Sequence, residues 1–306
     1  MFALDATNRL QTLTKELANF EEMAHSLLPQ PGERPRVHGI DLFGGTIALN
    51  GVGGGDHLIY IDFKQRFDLE ARIADAVDSG RWAVVENLRR CQRMAGVALI
   101  DVSGHRMTDA LMAAMMHQAL LLGAIYELDT FGGITSRLFE NLNTRFYQSS
   151  AAHKFVSLIY GEISEDATFR FLTAAQPAPI VYSRAHGRLM DVPDEACVSF
   201  PPIGILPSFD VIDRHRTSTP LGFKPRYEMN EWRLLGQGDI MLLCTDGLAD
   251  HERDGETYCR TELEATLRAV ADQDARTIFD AITADLRAFG PPTDDVSLVV
   301  IKRTSC

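Results

Sequence analysis

Four aspartates stand beside or close to glycine or a second acid, three of them at the ends of apolar runs. Asp56 closes Gly53-Gly54-Gly55-Asp56. Asp101 opens Asp101-Val102-Ser103-Gly104-His105, directly after the apolar run Ala95 to Ile100. Asp246 lies in Thr245-Asp246-Gly247-Leu248, after Ile240 to Cys244. Asp294 and Asp295 precede Val296 to Ile301. Carboxylates at strand ends project into a cleft from rigid elements, and neighbouring glycines let backbone carbonyls and water come close. An oxygen-only donor set suits hard cations such as Mg²⁺ or Mn²⁺, not zinc. A single Asp-Gly is usually a turn.

Other chemistries find less support. The Gly53–Gly55 run lacks the Lys-Ser/Thr ending of a P-loop and the dinucleotide spacing. There is no Gly-x-Ser-x-Gly elbow and no His/Cys set at zinc spacing. His105, alone in a turn, reads as a solvated or supporting residue rather than a general base. Ala110 to Met116 reads as a buried helix with methionine as filler.

Taken in order, these motifs resemble the metal-dependent protein phosphatases of the protein phosphatase 2C type, and most closely their bacterial SpoIIE/RsbU-like serine phosphatase branch. The resemblance spans roughly residues 20 to 303. It runs through Leu27-Leu28-Pro29, Gly54-Gly55-Asp56, Asp101 to His105, Phe155-Val156-Ser157-Leu158, Gly238-Asp239, Thr245-Asp246-Gly247 and Thr293-Asp294-Asp295-Val296. It implies an α+β fold, an α-β-β-α sandwich of two mainly antiparallel sheets flanked by helices, here preceded by an N-terminal helix. It also implies two divalent cations, Mn²⁺ or Mg²⁺. Asp101 would bridge them, and the carbonyl of Val102 would help hold one. Asp246 and Asp294 would complete the other, and Asp56 would bind the first directly or through water. Gly55, His105, Arg106, Gly247 and Asp295 are supporting or substrate-contacting candidates.

The implied reaction is hydrolysis of a phosphoserine or phosphothreonine by metal-activated water, with no protein nucleophile. The implied partner is a phosphorylated STAS-type anti-sigma-factor antagonist in a partner-switching pathway. Two other readings stay open: a non-catalytic module that binds a partner, and a hydrolase of small phosphoesters. The chain also departs from the branch. Arg106 stands where a glycine is usual, either as a phosphate contact or as a surface charge. Asp62 matches no branch ligand. Ala174-Ala175-Gln176-Pro177 replaces a common Ala-Gly-His-Asn segment.

The elements that must position these residues follow from periodicity. Strands are predicted at 57–63, 97–101, 155–160, 169–173, 180–183, 240–245 and 296–301, with a turn at Ala185-His186-Gly187. Helices are predicted at 68–79, 82–94, 108–126, 130–147, 261–272 and 274–289, with Thr261 and Glu264 at capping-box spacing. Residues 1–32 form a helix and linker. Leu10, Leu13, Leu17, Phe20, Ala24 and Leu27 make one seam, either packed on the same chain or joining two copies through residues 10–27. Residues 33–306 form the phosphatase-like domain, with insertions near 65–94 and 210–232. The second carries Arg214, His215, Arg216, Lys224 and Arg226. Either insertion gates the site, docks a protein substrate, or decorates the surface.

Composition bounds the partners. Asp plus Glu number 42 against 30 Lys plus Arg, a net charge of −12. Nucleic acid is disfavoured on average. Five cysteines without a CxxC pair read as free thiols in a reducing compartment. No signal peptide or membrane-inserted helix is expected, and the predicted location is cytoplasmic.

Overall fold

The apolar runs become strands whose alternate side chains enter different cores. The computed structural model describes residues 2–26, 29, 33–49, 54–103, 107–149, 154–209, 222–233 and 236–304. Helix α1 (Phe2–Ser26) leads into strands β1 (Ile40–Ile47) and β2 (His57–Asp62). Helices α2 (Phe63–Arg66), α3 (Leu69–Asp78) and α4 (Trp82–Cys91) follow, then β3 (Met94–Val102), α5 (Met107–Phe131) and α6 (Ser136–Ser149). Strands β4 (Val156–Ser164), β5 (Phe169–Ala174), β6 (Ile180–Ser183), β7 (Arg188–Leu189), β8 (Ser199–Phe200), β9 (Asn230–Trp232) and β10 (Ile240–Cys244) come next. The chain ends with α7 (Asp246–Ala249), the hairpin β11 (Glu252–Arg253) and β12 (Glu256–Thr257), α8 (Tyr258–Thr261), α9 (Leu263–Val270), α10 (Ala275–Phe289) and β13 (Val296–Arg303).

Among the described residues, β1-β13-β10-β6-β7 form one sheet and β2-β3-β4-β5-β8 another, with β9 paired to β5. Pairing is antiparallel except between β5 and β8. Leu58, Tyr60, Val97, Leu99, Met241, Leu243, Val299 and Ile301 fill the space between the sheets. Their neighbours Ile59, Ile61, Ala98 and Ile100 face outward into a second core with Leu88, Met116, Leu120 and Phe139 of the helices. On the other sheet, Ile240, Leu242, Leu298 and Val300 meet Leu263, Leu267, Ile278, Ile282 and Leu286. Strands buried on both faces read as continuous apolar runs rather than as alternation. Three cores between four layers make the expected α-β-β-α sandwich.

The structure differs from the sequence reading in several places. Strand β1 was not among the predicted strands. Gly44 and Gly45 interrupt its pattern, and a Cβ on Gly44 would lie 2.7 Å from Val299 Cγ2. The helix predicted to residue 94 stops at Cys91, and β3 already begins at Met94. Thr261 and Glu264 form no capping box: Thr261 ends α8 and its hydroxyl donates to the Thr257 carbonyl, while Glu264 accepts from Leu189 N and Arg268. The 65–94 stretch is integral to the outer helix layer, with Phe67, Leu69, Val85 and Leu88 buried.

Lys224 is not a docking charge. Its side chain is 1% exposed, paired with Glu140 at 2.8 Å and lying over the Tyr227 ring. Residues 210–221, with Arg214, His215 and Arg216, lie outside the described residues. In α1, Leu10, Leu13 and Leu17 are exposed. Leu27 and the side chains of Phe20 and Ala24 lie outside the description. Asp109–Phe131 is long and apolar enough to cross a membrane by composition alone. Here Ala113, Met116, Leu120, Ala124 and Leu128 bury one face of that helix in the fold. Cys91, Cys197, Cys244 and Cys259 are free thiols; Cys306 lies outside the described residues.

Candidate metal centre

All four sequence-flagged aspartates come to the same end of the two sheets. Asp56 precedes β2, and Asp101 lies near the end of β3, opposite Ser157 of β4. From the other sheet, Asp246 opens α7 just after β10, and Asp294 and Asp295 lead into β13. Thr245 joins the two halves. Its hydroxyl donates to Asp56 Oδ2 at 2.7 Å and accepts from the Ser297 amide at 2.9 Å.

Asp295 has a specific task. One carboxylate oxygen accepts from Leu49 N at 2.7 Å and the other from Gly55 N at 2.9 Å. The Gly55 carbonyl in turn accepts from Val102 N at 3.2 Å. Asp295 therefore clamps the loop that carries Asp56 and ties it to the end of β3. The approach is so close that a Cβ on Gly54 would fall 1.7 Å from the Asp295 carboxylate, and one on Gly247 would fall 1.9 Å from its carbonyl oxygen. These glycines are needed for space. Asp294 Oδ1 accepts the Asp295 amide at 2.8 Å. Gly53, Gly104, His105 and Arg106 lie outside the described residues.

The electrostatics are those of crowded acids. Burial, then the charge of Asp101, hold the Asp56 carboxyl well above the ordinary range, against the pull of the Thr245 hydrogen bond. Burial, then Asp246, push Asp101 up to about 6, opposed by its bond from Ser157. Burial, then Asp294, raise Asp246. The charged groups acting on these three are all acids. Among the described residues no three His, Cys, Asp or Glu side chains converge into a ready-made ligand cluster. The donor chemistry nevertheless fits a hard divalent cation: oxygen donors only, partly buried, destabilised by mutual repulsion that a dication would relieve.

Several residues here received no role from the sequence. Ser157 donates to Asp101 Oδ2 at 3.0 Å, and Gln176 Nε2 donates to Ser157 Oγ at 2.9 Å. Beside Asp56, the His57 and His117 rings are hydrogen-bonded at 2.6 Å and link β2 to α5. Burial holds both low, at about 3 for His57 and about 4 for His117, so both are neutral at pH 7. The one sequence signal was that His117 interrupts an apolar helix. Asp62, set aside as a ligand, lies at the far end of β2 and caps α2 by accepting from Lys64 N and Gln65 N.

Two cavities, of about 770 and about 950 Å³, lie at the opposite end of the β2–β5 sheet. They are lined by Arg66, Arg93, Glu162, Glu165 and Arg170, among others, and not by the four aspartates.

Sandwiches of this kind include protein phosphatase 2C-type domains. The family model described as Stage II sporulation protein E (SpoIIE) matches residues 92–304, more than half of the chain. The chain belongs to this family. Among solved structures, the SiaA-PP2C domain of Pseudomonas aeruginosa aligns with a TM-score of 0.63 at 16% identity, covering 96% of this chain and 98% of that one. The SpoIIE phosphatase domain with a fragment of its regulatory domain, from Bacillus subtilis, gives 0.60 at 16%, covering 87% of this chain and 64% of that one. The RsbU and RsbW domains of a Mycobacterium tuberculosis protein give 0.59 at 18%, covering 90% and 64%. At these identities the likeness concerns the fold. No curated protein sequence matches the chain.

Proposed function

We propose that the chain is a Mn²⁺- or Mg²⁺-dependent protein-serine/threonine phosphatase. The observation that carries this reading is the set of mutually repelling aspartates that both sheets deliver to one end, where the charged groups acting on Asp56, Asp101 and Asp246 are all acids. Asp56, Asp101, Asp246, Asp294 and the Val102 carbonyl are the proposed ligands of two cations, with Asp101 between them. Bound divalent cations would supply Lewis acidity for the phosphoryl oxygens and a water of lowered pKa. The chain itself holds the acids in position. Asp295 fixes the Asp56 loop, Thr245 orients Asp56, and Ser157 orients Asp101. No side-chain nucleophile is required.

By family resemblance the substrate is a phosphorylated STAS-type anti-sigma-factor antagonist in a partner-switching pathway. Free, unpaired cysteines support a cytoplasmic location. Phosphate release from such a phosphoprotein should require Mn²⁺ or Mg²⁺ and stop with chelator. Metal-independent release, or none from any phosphoprotein, would refute the reading. Reversing the charges of Arg214 and Arg216 should impair the protein substrate and spare a small aryl phosphate; equal loss on both would remove docking through that loop. The exposed Leu10, Leu13 and Leu17 support a homodimer through residues 10–27. Light scattering with and without residues 1–28 tests this, and an unchanged mass removes it.

A further inference from the structure

The row of strand ends carrying the aspartates continues two strands further than the acids do. Asp101 faces Ser157 across β3 and β4, and Leu158 faces Ala174 across β4 and β5. Gln176 lies just past the end of β5. Its Nε2 donates to Ser157 Oγ at 2.9 Å, and Ser157 Oγ lies 3.0 Å from Asp101 Oδ2 and 3.1 Å from the Asp101 carbonyl. The directions are fixed by counting hydrogens. Serine has one, which goes to Asp101, so the group facing it from Gln176 must be the donating NH₂.

Two further observations mark Gln176. It is 5% exposed, and its Oε1 has no partner among the described residues. The residue before it, Ala175, has φ +58°, a left-handed conformation that alanine seldom takes. Bonds from Ala175 N to the Phe200 carbonyl, at 2.8 Å, and from Thr173 Oγ1 to the Gln176 carbonyl, at 2.9 Å, hold that turn. Strained backbone held by its surroundings clusters at functional sites.

We infer that Gln176 and Ser157 form a relay that positions the Asp101 carboxylate for cation binding, with the open Gln176 oxygen left for a donor that arrives with the bound ligands. Both are positioning residues. The inference rests on the proposed metal-dependent reading. A glutamine gives this relay a pH-independent end, since the amide does not titrate at ordinary pH.

The test is Mn²⁺ affinity by calorimetry on the metal-stripped full chain. Ser157→Ala and Gln176→Met are each expected to weaken binding about tenfold or more, the range for residues that orient metal ligands. Ser157→Thr, which keeps the hydroxyl, should recover affinity to within about threefold. Combining Ser157→Ala with Gln176→Met should add little to either alone, because both break one chain of bonds. A parent chain that does not bind Mn²⁺ overturns the metal-dependent reading and the relay together. A parent that binds, with Ser157→Ala or Gln176→Met folded and binding equally well, overturns the relay alone.

Discussion

The two ends of the β2–β5 sheet both raise a buried acid through burial, but they surround it with opposite charges. At the far end Glu162 is as deeply buried as Asp56, yet it is matched. Arg170 donates to it at 2.9 Å and the Tyr160 hydroxyl at 2.7 Å, while Arg170 also reaches the Ile134 carbonyl. Nearby, Asp166 accepts from Ser164 and also from Arg233, and these bonds, Ser164's foremost, hold its carboxyl below the usual range. At the near end, hydroxyls of Thr245 and Ser157 donate to Asp56 and Asp101, but the charged groups acting on Asp56, Asp101 and Asp246 are all acids. A buried acid is stable when a cation compensates it. The far end carries its cations in the sequence, whereas on the proposed reading the near end would take them from solution.

The contrast can be broken by substitution. Asp101→Asn should lower Mn²⁺-dependent phosphate release by at least about 10³-fold, the scale on which electrostatic stabilisation acts, while far-UV circular dichroism stays unchanged. Full activity in that variant would remove the metal assignment. Glu162→Ala should do the reverse. It should cost roughly 3 kcal/mol in urea unfolding, because Arg170 and Tyr160 lose their partner, and turnover of the folded fraction should stay near the parent value. Lost turnover with unchanged stability would erase the distinction between the ends.

The pH dependence sharpens it. In the native chain Asp101 is pushed up to about 6, above about 3.9 for an unfolded aspartate. The native state keeps this proton where the unfolded chain has released it. Its contribution to metal-free stability is therefore fully present below about pH 4 and is lost as pH rises through about 6, roughly 1–3 kcal/mol. Thermal melts with chelator should fall across that window, and saturating Mn²⁺ should restore stability above it. A metal-free melting temperature that rises from pH 4 to 6.5 would contradict the account. The smallest effect is expected away from both ends. Thr261→Ala should change stability by less than about 0.5 kcal/mol, since no capping box exists to lose.

The site aspartates were legible because each sits at the end of an apolar run or beside glycine, and a run buried on both faces stays apolar throughout. Their clamps were not. Asp295 looked like a weaker copy of Asp294, yet its two oxygens are committed to amides of residues 49 and 55, far away in sequence. Nothing local announces that Thr245 reaches Asp56, or that Gln176 reaches Ser157; the first bond exists only after the two sheets have packed, the second only after β4 and β5 have paired. Strand β1 was missed for a related reason. It lies at a sheet edge and makes room through two glycines, Gly44 for Val299 of β13 and Gly45 for Phe279 of α10, so its own residues carry little strand signal. The false capping box at Thr261 is the opposite case, a local pattern overridden when the preceding turn became a helix of its own.

The strand order sets the smallest piece of this chain that could stand alone. The SpoIIE match begins at residue 92. Before that point lie β1, which zips along β13, and β2, which zips along β3. A fragment starting at 92 would lose the edge strand of each sheet and expose the apolar inner strands β13 and β3 as new edges, open to pairing with other chains. It would also discard Asp56 and with it the acceptor of Thr245. The autonomous folding unit should therefore start no later than Ile40, and expression from residue 92 should give aggregate where expression from residue 33 gives folded protein.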